Sequence, residues 1–167
     1  MERLWAPWRA QYVASFARAE EMSECFLCAA AKSAREYDRE LLVVARWESC
    51  FALLNRYPYN SGHVMVAPYR HVGEMEELSD TELCELMVRV REVLRALKSE
   101  LSPHGFNVGL NLGRAAGAGL PEHLHIHIVP RWHGDTNFMP VLAEVKVVSQ
   151  ALEEVYERLH TALHGGS

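Results

Sequence analysis

Residues 123–128, HLHIHI, alternate between histidine and an apolar residue without a break. Side chains point to opposite faces along a β-strand and recur every third or fourth residue on a helix. Only a strand sorts this stretch cleanly, with Leu124, Ile126 and Ile128 on one face and His123, His125 and His127 on the other. The apolar row can join a core and holds the register, since a slip of one residue would exchange the two faces. It does not explain three imidazoles, because a solvent-facing row could use threonine, lysine or glutamate equally well. Two chemistries suit such a row. Imidazoles two apart can share a metal ion. Alternatively, one neutral ring can attack an electrophilic phosphorus while its neighbours donate to the phosphate oxygens. An ordinary pKa of about 6.5 keeps both forms of the ring accessible near neutrality.

The rest of the chain supplies an α+β frame with a largely antiparallel sheet of about five strands. Residues 41–54 read as two short strands joined by a turn at Glu48-Ser49, and 62–68 as a third. Residues 79–101 are the clearest helix. Ser79 and Glu82 have capping-box spacing, and Leu83, Leu86, Met87, Val90, Leu94, Leu97 and Leu101 form one apolar stripe. Pro103 and Gly105 end it. Strands follow at 106–113 and 122–131, then a C-terminal helix at 149–163. The 167 residues suit one domain, 1–167: an N-terminal segment 1–40, a core sheet with the long helix at 41–132, and a C-terminal segment 133–167.

The fourth strand leads into NLGRAAGAGLPE, residues 111–122, just ahead of the histidines. Glycine backbone can approach an anion closely. Asn111 adds an amide and Arg114 a positive charge, which makes a glycine loop feeding a histidine row a credible phosphate pocket.

At this point HLHIHIV resembles the histidine triad motif, His-φ-His-φ-His-φ-φ, of the histidine triad (HIT) nucleotide-binding superfamily. NRYPYNSGHVMVAPYRHV, 55–72, resembles that family's first nucleotide-pocket strand pair. LWAPWRAQYV and VPRWHGDTNFMPV resemble the branch that includes bacterial diadenosine tetraphosphate phosphorylases and Fhit-like proteins. The resemblance implies a HIT-like fold and a nucleophile at His125. That residue would attack a nucleotide α-phosphate to give a covalent nucleotidyl-histidine, released by phosphate or water. His127 would hydrogen-bond the phosphate, and His123 completes the triad. Asn111 and the loop Gly117, Ala118, Gly119 would hold phosphate oxygens, with Asn55 near the ribose and Leu54 near the base. The substrate would be a dinucleoside polyphosphate, with magnesium accompanying its phosphates. The alternatives are a nucleoside phosphoramidate hydrolase and a non-catalytic nucleotide-binding module. The family also implies a homodimer. Many members carry Ala-Gly-Gln before the triad, the glutamine assisting the leaving group. Ala116-Gly117-Ala118-Gly119 has none, which favours transfer or phosphorolysis over simple hydrolysis.

Cys25-Phe-Leu-Cys28 reads as zinc, a redox pair or coincidence. Zinc wants two more ligands. Some HIT relatives supply a histidine after the pocket strand and the first triad histidine, which here are His71 and His123. The resemblance therefore implies a structural zinc held by Cys25, Cys28, His71 and His123. Cys50 and Cys84 sit in apolar contexts and read as buried free thiols. His63 reads as a half-buried packing residue, Glu122 as lying on the strand face opposite the histidines, and Trp5 and Trp8 as covering a core or an interface. A net charge of −5 argues against a general nucleic-acid surface. No apolar run approaches the roughly 18 residues needed to span a bilayer, and no secretory signal is evident. These point to a cytoplasmic protein without disulfides.

Overall fold

Val64–Pro68, VMVAP, is buried at every position, as is Cys50–Leu54, CFALL. Uninterrupted apolar strands need cover on both faces, and the computed structural model, which describes residues 25–135 and 151–165, provides it. The strands are β1 (Val43–Arg46), β2 (Cys50–Leu54), β3 (Val64–Pro68), β4 (Gly105–Leu110) and β5 (Ile126–Arg131). All pairings are antiparallel, in the order β1-β2-β3-β5-β4. One face carries Val44, Ala52, Val64, Val66, Ile126 and Ile128 against helices α2 (Asp80–Leu101) and α3 (Leu152–His164). The other carries Val43, Phe51, Leu53, Met65 and Ala67 against a short helix, α1 (Phe26–Lys32). Trp5 and Trp8 lie outside the described residues, as do 149 and 150 of the expected C-terminal helix. No described helix is long and apolar enough to cross a membrane.

Helix α2 begins with the reciprocal cap expected of it: Glu82 N–H donates to Ser79 Oγ, and Ser79 N–H to the Glu82 carboxylate. It ends on Ser102, which takes a left-handed conformation at φ 47° ahead of Pro103. The buried stripe is Leu86, Val90, Val93, Ala96 and Leu97. It is rotated from the expected one, so that Met87, about 100° further round, is 56% exposed. The same rotation leaves Cys84 at the surface rather than buried, whereas Cys50 is buried as expected.

Helix α1 is too short to persist alone, and its C-terminal end is held by a buried cation. Arg46 donates to Ala30 O at 2.8 Å and Ala31 O at 3.3 Å, to Ser33 Oγ, and through two nitrogens to Asp38. The two side chains are only 8% and 15% exposed. Removing one partner of such a pair strands the other charge. Asp38→Ala is expected to cost about 3 kcal/mol, and thermal melts should fall by roughly 6–12 °C for a domain of this size. An unchanged melt would mean that the carbonyls and water satisfy Arg46 without the carboxylate.

Candidate functional site

β5 is ladder from Ile126 onward, four residues later than the expected span of 122–131. Ahead of it, Leu124 N–H donates to Val72 O at 2.7 Å, and His125 Nδ1 reaches back to the His123 carbonyl at 2.8 Å. Leu124, Ile126 and Ile128 share one core cluster, as the alternation predicts, and the three imidazoles opposite them differ in their partners. His127, paired with Met65 and Gly109, stands on the α1 face of the sheet with His125 beside it, their ring centroids 4.7 Å apart. His123 is fully buried and turns towards the cysteines. Glu122 sits in the turn before the strand, exposed and 3.7 Å from Arg114.

Hydrogen bonds assign the ring protons. The Tyr59 backbone N–H donates to His63 Nδ1 at 3.1 Å, so His63 carries its proton on Nε2. That Nε2–H donates to His127 Nδ1 at 2.9 Å, so His127 carries its own proton on Nε2. On His125 the carbonyl of His123 takes the Nδ1 proton, leaving the lone pair on Nε2. The pair thus presents a nucleophilic nitrogen from His125 beside an N–H donor from His127. His63, completely buried rather than half-buried, is the residue whose part was not legible in the sequence. Only the register, which sets Val64 opposite Ile128 and Met65 opposite His127, shows that it reaches the site.

Burial holds both rings neutral. His125 lies below the usual histidine value because it is desolvated. His127 is pulled down to about 4 by desolvation first and by the neighbouring His125 second. The unfolded chain takes up a proton near 6.5 that the folded chain refuses until about 4, so His127 makes stability fall as the pH drops through that window. The loss approaches about 3 kcal/mol at its acid end. The difference in unfolding free energy between wild type and His127→Gln, from urea titrations at pH 7 to 4, should shift against the wild type by that amount; parallel curves would place the titration elsewhere.

His125 and His127 line a cavity of about 770 Å³, within the range of small-molecule sites. Its apolar lining includes Phe26 and Ala29 from α1 with Leu41, Leu53, Leu54 and Met65, and its polar lining includes Asn55, Asn111 and Arg114, beside Gly117 and Gly119. Ala118 is not among the lining residues. Gly117 closes the turn Arg114–Ala116 at φ 85°, a conformation that favours glycine. The N–H groups of Gly117 and Ala118 donate within that turn, to Arg114 O and Gly113 O. Asn55 is 4% exposed. Its Oδ1 accepts the Tyr57 N–H at 2.9 Å, and its Nδ2 faces a weak acceptor, the Met65 thioether, at 3.8 Å.

Beside this cavity the side chains of Cys25, Cys28, His71 and His123 converge, with donor atoms all within 4.8 Å of one another. His123 Nδ1 lies 3.3 and 3.5 Å from the two sulfurs, and His71 Nδ1 lies 3.2 Å from Cys28 Sγ. Ordinary Zn–S and Zn–N lengths in a tetrahedron give an S···N edge of about 3.6 Å, so two thiols and two imidazoles at this spacing fit zinc. His123 Nε2 donates to the Pro68 carbonyl at 2.9 Å, which keeps its Nδ1 lone pair aimed at the sulfurs. Burial, with the adjacent Cys28 thiol, pushes Cys25 up to about 11.

Residues 38–134 match the HIT domain. The chain is 44% identical over 168 residues to the AP-4-A phosphorylase of Mycobacterium tuberculosis, covering 96% of this chain and 84% of that one. It is 31% identical over 107 residues to the adenosine 5'-monophosphoramidase of Schizosaccharomyces pombe, covering 64% and 74%. Among solved structures, a hypothetical histidine triad nucleotide-binding protein of Sulfolobus tokodaii superposes with a TM-score of 0.66 at 27% identity, covering 84% of this chain and 93% of that one. With its histidines arranged as described, the chain belongs to the HIT domain family.

Proposed function

We propose that this protein cleaves a dinucleoside polyphosphate such as diadenosine tetraphosphate at a nucleotide α-phosphate, through a covalent nucleotidyl-histidine. The observation that carries the reading is the paired presentation of a lone pair on His125 Nε2 and a proton on His127 Nε2 at one cavity. His125 attacks phosphorus, and the bond from phosphorus to the bridging oxygen breaks. His127 donates a hydrogen bond to that oxygen or to the phosphate as charge develops. Phosphate or water then releases the nucleotidyl group. His123 serves through its backbone carbonyl, and its side chain goes to the metal. The apolar lining of the cavity suits a base beside Leu54, and the Asn55 amide suits a ribose hydroxyl. Asn111 and the Gly117–Gly119 turn suit phosphates, with magnesium arriving on the substrate.

The resemblance to the mycobacterial phosphorylase over nearly the whole chain favours phosphorolysis. Incubation with diadenosine tetraphosphate, with and without inorganic phosphate, decides it. ADP and ATP formed only with phosphate are expected, AMP with ATP would mean hydrolysis, and no turnover would sink the reading. A second reading, a phosphoramidase, is favoured by the fungal relative; cleavage of adenosine 5'-phosphoramidate in preference to the polyphosphate would select it.

His63 is a positioning residue. His63→Phe removes the donor that fixes the His127 tautomer and is expected to lower kcat about 100-fold with little change in KM. His127 should then titrate at higher pH by nitrogen NMR, since no N–H opposes protonation of its Nδ1. An unchanged titration would reduce His63 to packing.

Zinc fits the four donors and would tie α1 to the sheet as a structural ion. The thiol ligands suit a reducing, cytoplasmic setting. The whole chain, 1–167, is read as one domain. A homodimer is supported by the outer position of β4 among the described strands and by Val108, 44% exposed on it. Sedimentation at two concentrations checks that state.

A further inference from the structure

The four metal-ligating side chains do not form an outlying staple. Cys25 and His71 themselves line the cavity, and between the two cysteines α1 presents Phe26, 39% exposed, with Ala29 one turn on. Part of the apolar wall is therefore the first turn of a seven-residue helix whose N-cap is Cys25. Its far end is secured separately by Arg46 on Ala30 O and Ala31 O. Losing the ion would release the N-cap beside Phe26, while Leu27 stayed buried in the core and the last turn stayed anchored. His123 joins the two sites a second time, with its ring at the sulfurs and its carbonyl on His125 Nδ1.

We infer that zinc and nucleotide bind with positive coupling, each tightening the other, because the metal holds Phe26 and Ala29 in the position that walls the cavity beside the nucleoside. The inference rests on the nucleotide-pocket and zinc readings above. It makes the zinc site a regulator of substrate affinity, so that zinc depletion lowers activity by weakening binding before it unfolds the chain. Coupling between binding sites is reciprocal. A nucleoside that contacts α1 must hold the metal more tightly by the same factor by which the metal favours the nucleoside.

The test uses the full chain and two titrations. Zinc affinity is measured by competition with a chromophoric chelator, with and without saturating AMP. AMP affinity is measured calorimetrically on zinc-loaded and metal-free protein. Both are expected to change by the same factor, about fivefold or more. Should the metal-free chain unfold, the rate of zinc release from the loaded protein, with and without AMP, gives the same contrast. Phe26→Ala keeps all four donors and should bind zinc as wild type does, while the AMP effect falls below about twofold. Inorganic phosphate, which carries no nucleoside to contact Phe26, should raise zinc affinity less than AMP does. If zinc and AMP each bind with affinities indifferent to the other, the coupling is overturned and both site readings stand. If AMP fails to bind, or zinc fails to bind stoichiometrically, the corresponding site reading falls, and the coupling falls with it.

Discussion

His125→Ala is expected to lower turnover of diadenosine tetraphosphate on the order of 10⁵-fold or more, the scale of deleting a nucleophile from a covalent mechanism. Neither neighbour can substitute. The His127 nitrogen at the cavity carries a proton and no lone pair, and His123 is turned away to the sulfurs. AMP should still bind and the variant should remain folded, although His125 is buried, bonded to the His123 carbonyl and 4.7 Å from the His127 ring. Labelled AMP should be trapped on wild type after rapid acid-free quenching, and not on the variant. Substantial residual turnover in the variant would end the covalent reading. The same residue sets the acid limb. Protonation of His125 removes its lone pair, so activity falls as pH drops through its pKa. Burial holds that value below the usual histidine range. The plateau of kcat/KM is therefore expected to extend below pH 6.5; a limb above that value would assign the titration to another group.

Loss of zinc is the second large expected effect. An ion present at several thousand times its dissociation constant adds about 5 kcal/mol. For a chain of this size that corresponds to roughly 10–20 °C in Tm. Cys28→Ser and treatment with chelator are each expected to lower the melt by that amount, with loss of one zinc per chain by mass spectrometry of the native protein. Cys84→Ser, at an exposed thiol, should change neither. Because burial keeps the Cys25 proton in place to about pH 11, zinc uptake should release protons and weaken as pH falls. A melt indifferent to chelator, from protein isolated without zinc, would reduce the cluster to hydrogen-bonded thiols and imidazoles.

The sheet and long helix were legible because their signals are local. The alternation in β5, the Ser79–Glu82 cap and the all-apolar strands each follow from short-range spacing. The start of β5 was not, since it depends on a contact between Leu124 and Val72 that no local pattern announces. Helix α1 was missed for the same reason: seven residues carry too little periodicity, and Arg46, sixteen positions beyond Ala30, secures its end. Within the site, the alternation singled out His125 and His127, while the inequality of the three rings followed only from the family resemblance. The resemblance also supplied His71 and His123 as partners for the cysteines. His63 lies 64 residues from His127 and became visible only through strand register.

The proton order at the cavity begins at the main-chain N–H of Tyr59. A peptide nitrogen does not titrate at any pH the fold survives, and it is present whatever side chain sits at 59. The orientation of two functional rings is thereby insulated from acidity and from almost every replacement at that position. Proline is the exception, being the one residue that brings no hydrogen. The proton order should therefore tolerate most replacements at 59, with a single sharp gap at proline, while loss of the Tyr59 ring, which lines the cavity and packs on His63 and His127, would act on binding instead.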